Sequence, residues 1–368
     1  MTSKQSISGT ACIITGGLLN DIHAKTAHGL IRQSDRFEIV GVLDNTSAGQ
    51  DAGEILDGEF RNIPVCAQLD ELITKVGKTP EFAIIGMATK GGILPKELYP
   101  LIIHTLELGI SIVNGLHETL TEIDEFAKAI YNSSATIYDI RKPKAFSELH
   151  FWSGKINTVK CPKIAVLGTD CALGKRTTSK FIVNELRANG YNAHMIYTGQ
   201  TGWLQGTKYG FIFDSTPNDF ISGELEYAIL DCWKNENPDI IILEGQSSLR
   251  NPSGPCGSEY IISAELDGVI LQHDPTRTFY NGLESYGKKI PPLEEEIELI
   301  KMLGTRTVAV TLNTQNLDTA EAQSTKLRIE EEIGLPVIAP LYDGVEVIVQ
   351  SLINMFNSYS EKSINPNP

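Results

Sequence analysis

The sequence predicts an α/β protein made of two consecutive parallel-sheet domains. Three observations carry that expectation. Short runs rich in Val and Ile alternate with segments of helical spacing. The alternation breaks once, between Lys142 and Lys163, and then restarts. Glycines and chemically able side chains collect just after the apolar runs, which is where open α/β sheets bind ligands. The 368 residues are more than one core usually holds.

In the first half, Cys12 to Ile14 leads into Gly16-Gly17, and Ala24, Ala27 and Ile31 recur at i, i+3, i+7 as on one helix face. Phe37 to Leu43 reads as a strand ending at Asp44. Phe82 to Ile85, Ser111 to Val113 and Thr136 to Tyr138 are further strands, and Leu98 to Leu108 is a helix stopped by Gly109. Residues 1–145 are therefore expected to form a Rossmann-like parallel-sheet domain. Gly16-Gly17 is not G-x-G-x-x-G, so packing is expected here ahead of nucleotide binding. Asp44 nonetheless stands where an acid would meet a ribose. Lys25, Asn114 and His117 are read as structural.

Pro143, Trp152, Gly154 and Pro162 mark the junction. Residues 146–356 form the second domain. Its strands are Ile164 to Leu167, Ala193 to Tyr197, Ile240 to Leu243, Val269 to Leu271, Val308 to Leu312 and Val337 to Ala339. A helix from Thr177 to Ala188 closes at Gly190. Residues 357–368 are a polar tail, expected to be disordered.

A formal net charge of −15 argues against a nucleic-acid partner, which would want clustered Lys and Arg. A small anionic ligand stays compatible with it. No apolar run reaches membrane-spanning length, and Met1 to Gly9 lacks the apolar stretch of a signal peptide. The six cysteines form no C-x-x-C pair, so free thiols in a reducing cytoplasm are expected.

The most informative segment is Gly168-Thr169-Asp170-Cys171-Ala172-Leu173-Gly174-Lys175-Arg176-Thr177-Thr178, between a predicted strand and helix. Glycines let the backbone turn its N–H groups inward, and the positive end of the following helix adds to their hold on phosphate. Gly168, Thr169, Asp170, Gly174, Lys175, Arg176, Thr177 and Thr178 are the candidate cofactor-binding residues, and the second domain is expected to be P-loop NTPase-like. The segment departs from G-x-x-x-x-G-K-[ST] twice. Five residues separate the two glycines, as in loops of the dethiobiotin-synthetase kind, and Arg176 follows the lysine. Arginine cannot ligate Mg²⁺. Thr177 is the alternative, but one helical position turns it by about 100°. No resident metal is expected; if Mg²⁺ is used, Thr177 and Glu244 are its ligands.

Glu244 ends the strand before Gly245-Gln246-Ser247-Ser248-Leu249, and His273 opens His273-Asp274-Pro275-Thr276-Arg277 after the next one. Glu244, His273 and Asp274 are the candidate catalytic residues, with Glu244 or His273 as general base. Gln246, Ser248, Arg250, Asn251 and Arg277 are candidate substrate contacts, the arginines for carboxylates. Trp203, in the loop after Tyr197, either packs on an adenine or covers the core. Asn313 is a weaker candidate for reading a base.

Together the loop, Glu244 to Leu249 and His273 to Arg277 resemble a bacterial and archaeal family long described only as a domain of unknown function. Ala24-Lys25-Thr26-Ala27-His28-Gly29-Leu30 and Gly109 to His117 fit it too, so the resemblance spans almost the whole chain. The motif of that family reads Glu-Gly-Gln-Gly-Ser; here the second Gly is Ser247. Its members include D-glutamate N-acetyltransferases that use acetyl-CoA. The resemblance thus implies an enzyme that moves acetyl from acetyl-CoA to the amine of an acidic amino acid, with the loop gripping the phosphates of coenzyme A. Lys175 and Arg176 without a magnesium ligand suit that role. An ATP- and Mg²⁺-dependent kinase or ligase that activates a carboxylate is the alternative, and a nucleotide-sensing binding protein the third. A homo-oligomer is compatible with each.

Overall fold

The computed structural model describes residues 7–131 and 133–364, with the side chains of Ile22, Lys90 and 356–364 left aside. It divides into two units, Met1–Lys144 with Gln200–Thr207, and Ala145–Gly199 with Lys208–Pro368.

The first unit carries strands β1 (Gly9–Ile14), β2 (Phe37–Leu43), β3 (Val65–Cys66), β4 (Phe82–Ile85), β5 (Ser111–Asn114) and β6 (Ile137–Asp139). All pair in parallel, in the order β3-β2-β1-β4-β5-β6. That is the 3-2-1-4-5-6 order of a Rossmann sheet. Its helices are α1 (Lys25–Arg32), α2 (Ala52–Asp57), α3 (Leu69–Val76), α4 (Tyr99–Glu107) and α5 (Asp124–Tyr131). Along β1, Ala11 and Ile13 enter one apolar cluster, and Cys12 and Ile14 enter the other. A strand alternates its side chains between two faces, so burial on both explains its unbroken apolar run.

The second unit has a seven-stranded parallel sheet: β7 (Lys163–Gly168), β8 (Ala193–Tyr197), β9 (Tyr209–Gly210), β10 (Ile240–Glu244), β11 (Gly268–His273), β12 (Thr307–Leu312) and β13 (Val337–Ile338). The order is β13-β12-β11-β7-β10-β8-β9, so the strand before the phosphate loop is central. Here too alternate residues part: Ala165 and Leu167 face one cluster, Ile164 and Val166 the other. The longer helices are α6 (Lys175–Ala188), α8 (Asn218–Glu236), α10 (Leu293–Met302), α11 (Thr319–Ile333) and α13 (Glu346–Ile364), with short α9 (Ser258–Ser263) and α12 (Pro340–Asp343). α13 runs to Ile364, so the tail expected from residue 357 is helical that far, and residues 365–368 lie outside the described residues.

One segment of the second half of the sequence belongs to the first unit. It includes the short α7 (Gln200–Leu204). Gln205 Nε2 donates to the Gly29 carbonyl at 2.7 Å and to that of Gln33 at 2.9 Å. The Arg36 guanidinium lies 4.2 Å from the Trp203 ring centre and donates to the Trp203 carbonyl. Trp203 thus covers core and holds an arginine, a cation–π contact in place of an adenine.

Asp44 also changes role. Its carboxylate accepts from Thr15 Oγ1, Leu19 N, Thr46 N, Thr46 Oγ1 and Ser47 N. Burial pushes its pKa up, but these donors outweigh burial and hold it below the usual value. The carboxylate therefore fastens its own turn. Asn114 is likewise tied to Glu118 O and Asp139 Oδ1.

Candidate active site

In the second unit the candidate groups stand on or just beyond the carboxyl ends of β11, β7 and β10, three adjacent strands. Glu244 and His273 end the strands on either side of β7. Two strand spacings, roughly 10 Å, separate those backbones, so the two candidate bases flank the loop instead of forming a pair.

The loop curls as its glycines require. Gly174 precedes α6 with φ +98°, and Ala172 has φ +51°. Successive left-handed and helical residues turn amides to one side, and fourteen-residue α6 contributes its positive end. Lys175 is buried, and its ammonium donates to the carbonyls of Asp170 at 2.6 Å and Ser247 at 2.9 Å. These two carbonyl oxygens hold the ammonium at the loop. A Cβ on Gly168 would stand 3.1 Å from Lys175 Cδ and 3.2 Å from the Gln272 carbonyl. One on Gly245 would come 2.4 Å from the Val166 carbonyl, so β7 demands that glycine.

Several expected contacts turn out to be internal fastenings. Asp170 is fully buried, and its carboxylate accepts from Asn251 Nδ2 at 3.0 Å, Arg277 Nη1 at 2.8 Å and Asn281 N at 2.8 Å. It anchors the loop instead of offering an oxygen to a cofactor. Arg277 also donates to the Cys171 carbonyl at 2.7 Å, so this guanidinium clamps the loop. Asp274 accepts from Thr276 N and Thr276 Oγ1 at 2.9 and 2.7 Å through Oδ1, which shapes its own turn. Arg250 donates to Glu296 at 2.7 Å and Glu295 at 2.7 Å, which holds it against α10, while its Nη2 makes no hydrogen bond among the described residues. Thr178 donates to Gln272 Oε1 at 2.7 Å, as does Thr311, so its hydroxyl is committed to the core.

Other candidates keep chemistry to offer. The Thr177 hydroxyl makes no hydrogen bond among the described residues. Glu244 is buried, with Thr198 N 3.4 Å from its Oε2 and Thr198 Oγ1 donating to its carbonyl at 2.6 Å. Gln246 Nε2 donates to that same hydroxyl at 3.1 Å. Ser248 is buried, with its hydroxyl beside that of Tyr280. His273 Nδ1 lies 3.0 Å from Thr169 Oγ1. Burial lowers the His273 pKa to about 4, so its imidazole is neutral near pH 7.

Sequence reasoning offered Asn251 as a substrate contact and not as a partner of Asp170, and it missed Asn281. No local signal announces a pairing across some hundred positions; only the fold brings these loops together. The six cysteines are free, and burial pushes the thiols of Cys12, Cys161 and Cys232 up to about 12. Among the described residues no helix is long and apolar enough to cross a membrane.

Comparison with known proteins agrees with this architecture. Residues 45–143 match the DUF1611 N-terminal domain, described as a domain of unknown function, Rossmann-like. Residues 150–349 match its C-terminal P-loop domain, also described as of unknown function. Two proteins named D-glutamate N-acetyltransferase, from a Pseudoalteromonas species and from Tritonibacter scottomollicae, are each 30% identical over 276 residues, 73% of this chain and 80% of theirs. The crystal structure of a DUF1611 family protein from Anabaena variabilis ATCC 29413 superposes with a TM-score of 0.86 at 28% identity, over 94% of this chain and 99% of that one. With two sequential domain matches, full-length likeness in structure and the motif-bearing strands in order, the chain belongs to the DUF1611 family.

Proposed function

We propose that this protein is an N-acetyltransferase that moves acetyl from acetyl-CoA to the amine of an acidic amino acid, D-glutamate or a close analogue, with the P-loop anchoring the phosphates of coenzyme A. The observation that carries this reading is the loop. It has the turned backbone and buried lysine of a phosphate cradle, with Arg176 where a hydroxyl would ligate Mg²⁺ and Thr178 engaged by Gln272. The names of the relatives supply the acceptor.

The residues fit such a group. The loop amides, the start of α6 and Lys175 suit a pyrophosphate. Acetyl-CoA, when bound, supplies acetyl on a thioester: the amine nitrogen takes the acetyl carbon, the C–S bond breaks, the thiolate leaves, and the amine's proton goes to a base of the protein. His273, neutral and held by Thr169, suits that base; Glu244 is the other carboxyl-end candidate.

One observation favours a second reading. The unengaged hydroxyl of Thr177, with Glu244, is what an ATP- and Mg²⁺-dependent kinase or ligase would use. Mass spectrometry of D- and L-glutamate incubated with enzyme and acetyl-CoA separates the two. A gain of one acetyl mass supports the transferase. No acetylation, together with thermal stabilisation by ATP only when Mg²⁺ is present, overturns it. Stabilisation without turnover of either kind identifies a binding protein.

A further inference from the structure

The two arginines expected to meet substrate carboxylates are engaged elsewhere, Arg250 by Glu295 and Glu296 and Arg277 by Asp170. An acidic acceptor carries two carboxylates and has use for a further cation. A cavity of about 160 Å³ in the second unit is lined by His273, Leu293, Glu294, Arg328, Ile329 and Glu332 among others. That is roughly five water volumes, far below the 300–1,000 Å³ of pockets for larger ligands, and suits a small amino acid. A wider depression of about 530 Å³ in the first unit, at Gly9, Thr10, Arg36 and Glu81, opens at the amino ends of β1, β2 and β4. α/β sheets bind ligands at the other end.

The lining complements an α-amino dicarboxylic acid. Arg328 can receive a carboxylate, Glu294 an ammonium group, and Leu293 and Ile329 the methylenes between them. Arg328 uses one nitrogen, Nη1, to meet both oxygens of Glu332 at 2.9 Å, one turn along α11. Both partners are exposed, so that pair is weak, and it orients the guanidinium while leaving Nε and Nη2 for a ligand. The cavity shares His273 with the phosphate loop, because the same imidazole bonds Thr169. Nδ1 is taken up by the Thr169 hydroxyl, so proton exchange with a ligand falls to Nε2.

We propose that the cavity between His273, α10 and α11 is the binding site of the acidic amino-acid acceptor, with Arg328 as its carboxylate-recognising residue. This rests on the acetyltransferase reading, and Arg328→Met tests it in two arms. In steady-state assays with D-glutamate and acetyl-CoA, the variant raises the glutamate KM by at least about tenfold, the loss of a charge-assisted hydrogen bond. The acetyl-CoA KM and the thermal midpoint stay at the wild-type values, and Arg328→Lys recovers part of the loss. An unchanged glutamate KM overturns the site while leaving the acetyltransferase reading intact. In the second arm, calorimetry measures D-glutamate binding without acetyl-CoA. Binding to wild type that Arg328→Met abolishes supports the site even if no amino acid is acetylated, an outcome in which only the activity fails. No binding to wild type, or equal binding to both, overturns the site.

Discussion

The ammonium of Lys175 donates to the carbonyl of Ser247 at 2.9 Å, and that carbonyl is presented by a backbone turned to φ +36°. A side chain in this left-handed region is strained, and glycine is the residue that adopts it freely. The motif that this segment resembles would set glycine here, so Ser247 stands on a position that favours glycine. Ser247→Gly should therefore be neutral or stabilise by up to about 1 kcal/mol, relief of strain being partly offset by glycine's larger entropy loss. Ser247→Val should destabilise by about 1–3 kcal/mol. Urea midpoints of the two variants against wild type check both signs.

Asp170 is the fastening of the loop, so Asp170→Asn should cost about 2–4 kcal/mol, somewhat under the 3–5 of a fully buried pair because Arg277 is 20% exposed. Adding Arg277→Gln should recover part of that loss, since the stranded cation is then gone. A double-mutant cycle from denaturant melts measures the coupling; strict additivity would show that the two side chains do not act together.

The neighbouring threonines should behave differently. Thr178→Val removes one of the two hydroxyls on Gln272 Oε1 and should cost about 1 kcal/mol without changing CoA affinity. Thr177→Val touches no internal bond, so stability should be unchanged, while the KM for acetyl-CoA should rise as the loop loses a hydroxyl. Loss of activity in Thr177→Val, dependent on Mg²⁺, would point to the kinase or ligase reading.

His273 makes stability depend on pH. Its pKa is about 4 in the folded chain and near 6.5 when unfolded, so between those values the unfolded chain binds more protons. The contribution is complete above pH 6.5 and is lost as pH falls toward 4. It should amount to about 2 kcal/mol between pH 7 and pH 5. His273→Gln should flatten the difference between urea midpoints at those two pH values by that amount.

Much of the fold is legible because buried parallel strands announce themselves. Phe37–Leu43, Phe82–Ile85 and Ala193–Tyr197 follow directly from their apolar runs. β3 and β9, two residues each, carry no periodicity to read. α6 begins at Lys175, two residues before the expected Thr177, because Gly174 supplies the left-handed cap. The loop was visible as a phosphate motif, but the use of its side chains was not. Whether Asp170 faces a ligand or Arg277 depends on a contact across 107 positions, and whether Arg250 is available depends on Glu295 and Glu296 of α10. Residue type and spacing mark where chemistry gathers; the packing between loops decides which groups remain available for it.

The central claim is that the P-loop anchors coenzyme A through Lys175. It is tested most directly by calorimetric titration of CoA into wild type and Lys175→Ala without Mg²⁺. Wild type should bind CoA with a measurable Kd that rises by at least about tenfold in the variant, as loss of a charged phosphate contact implies. An unchanged Kd in Lys175→Ala, or wild-type binding of ATP with Mg²⁺ but not of CoA, would contradict it.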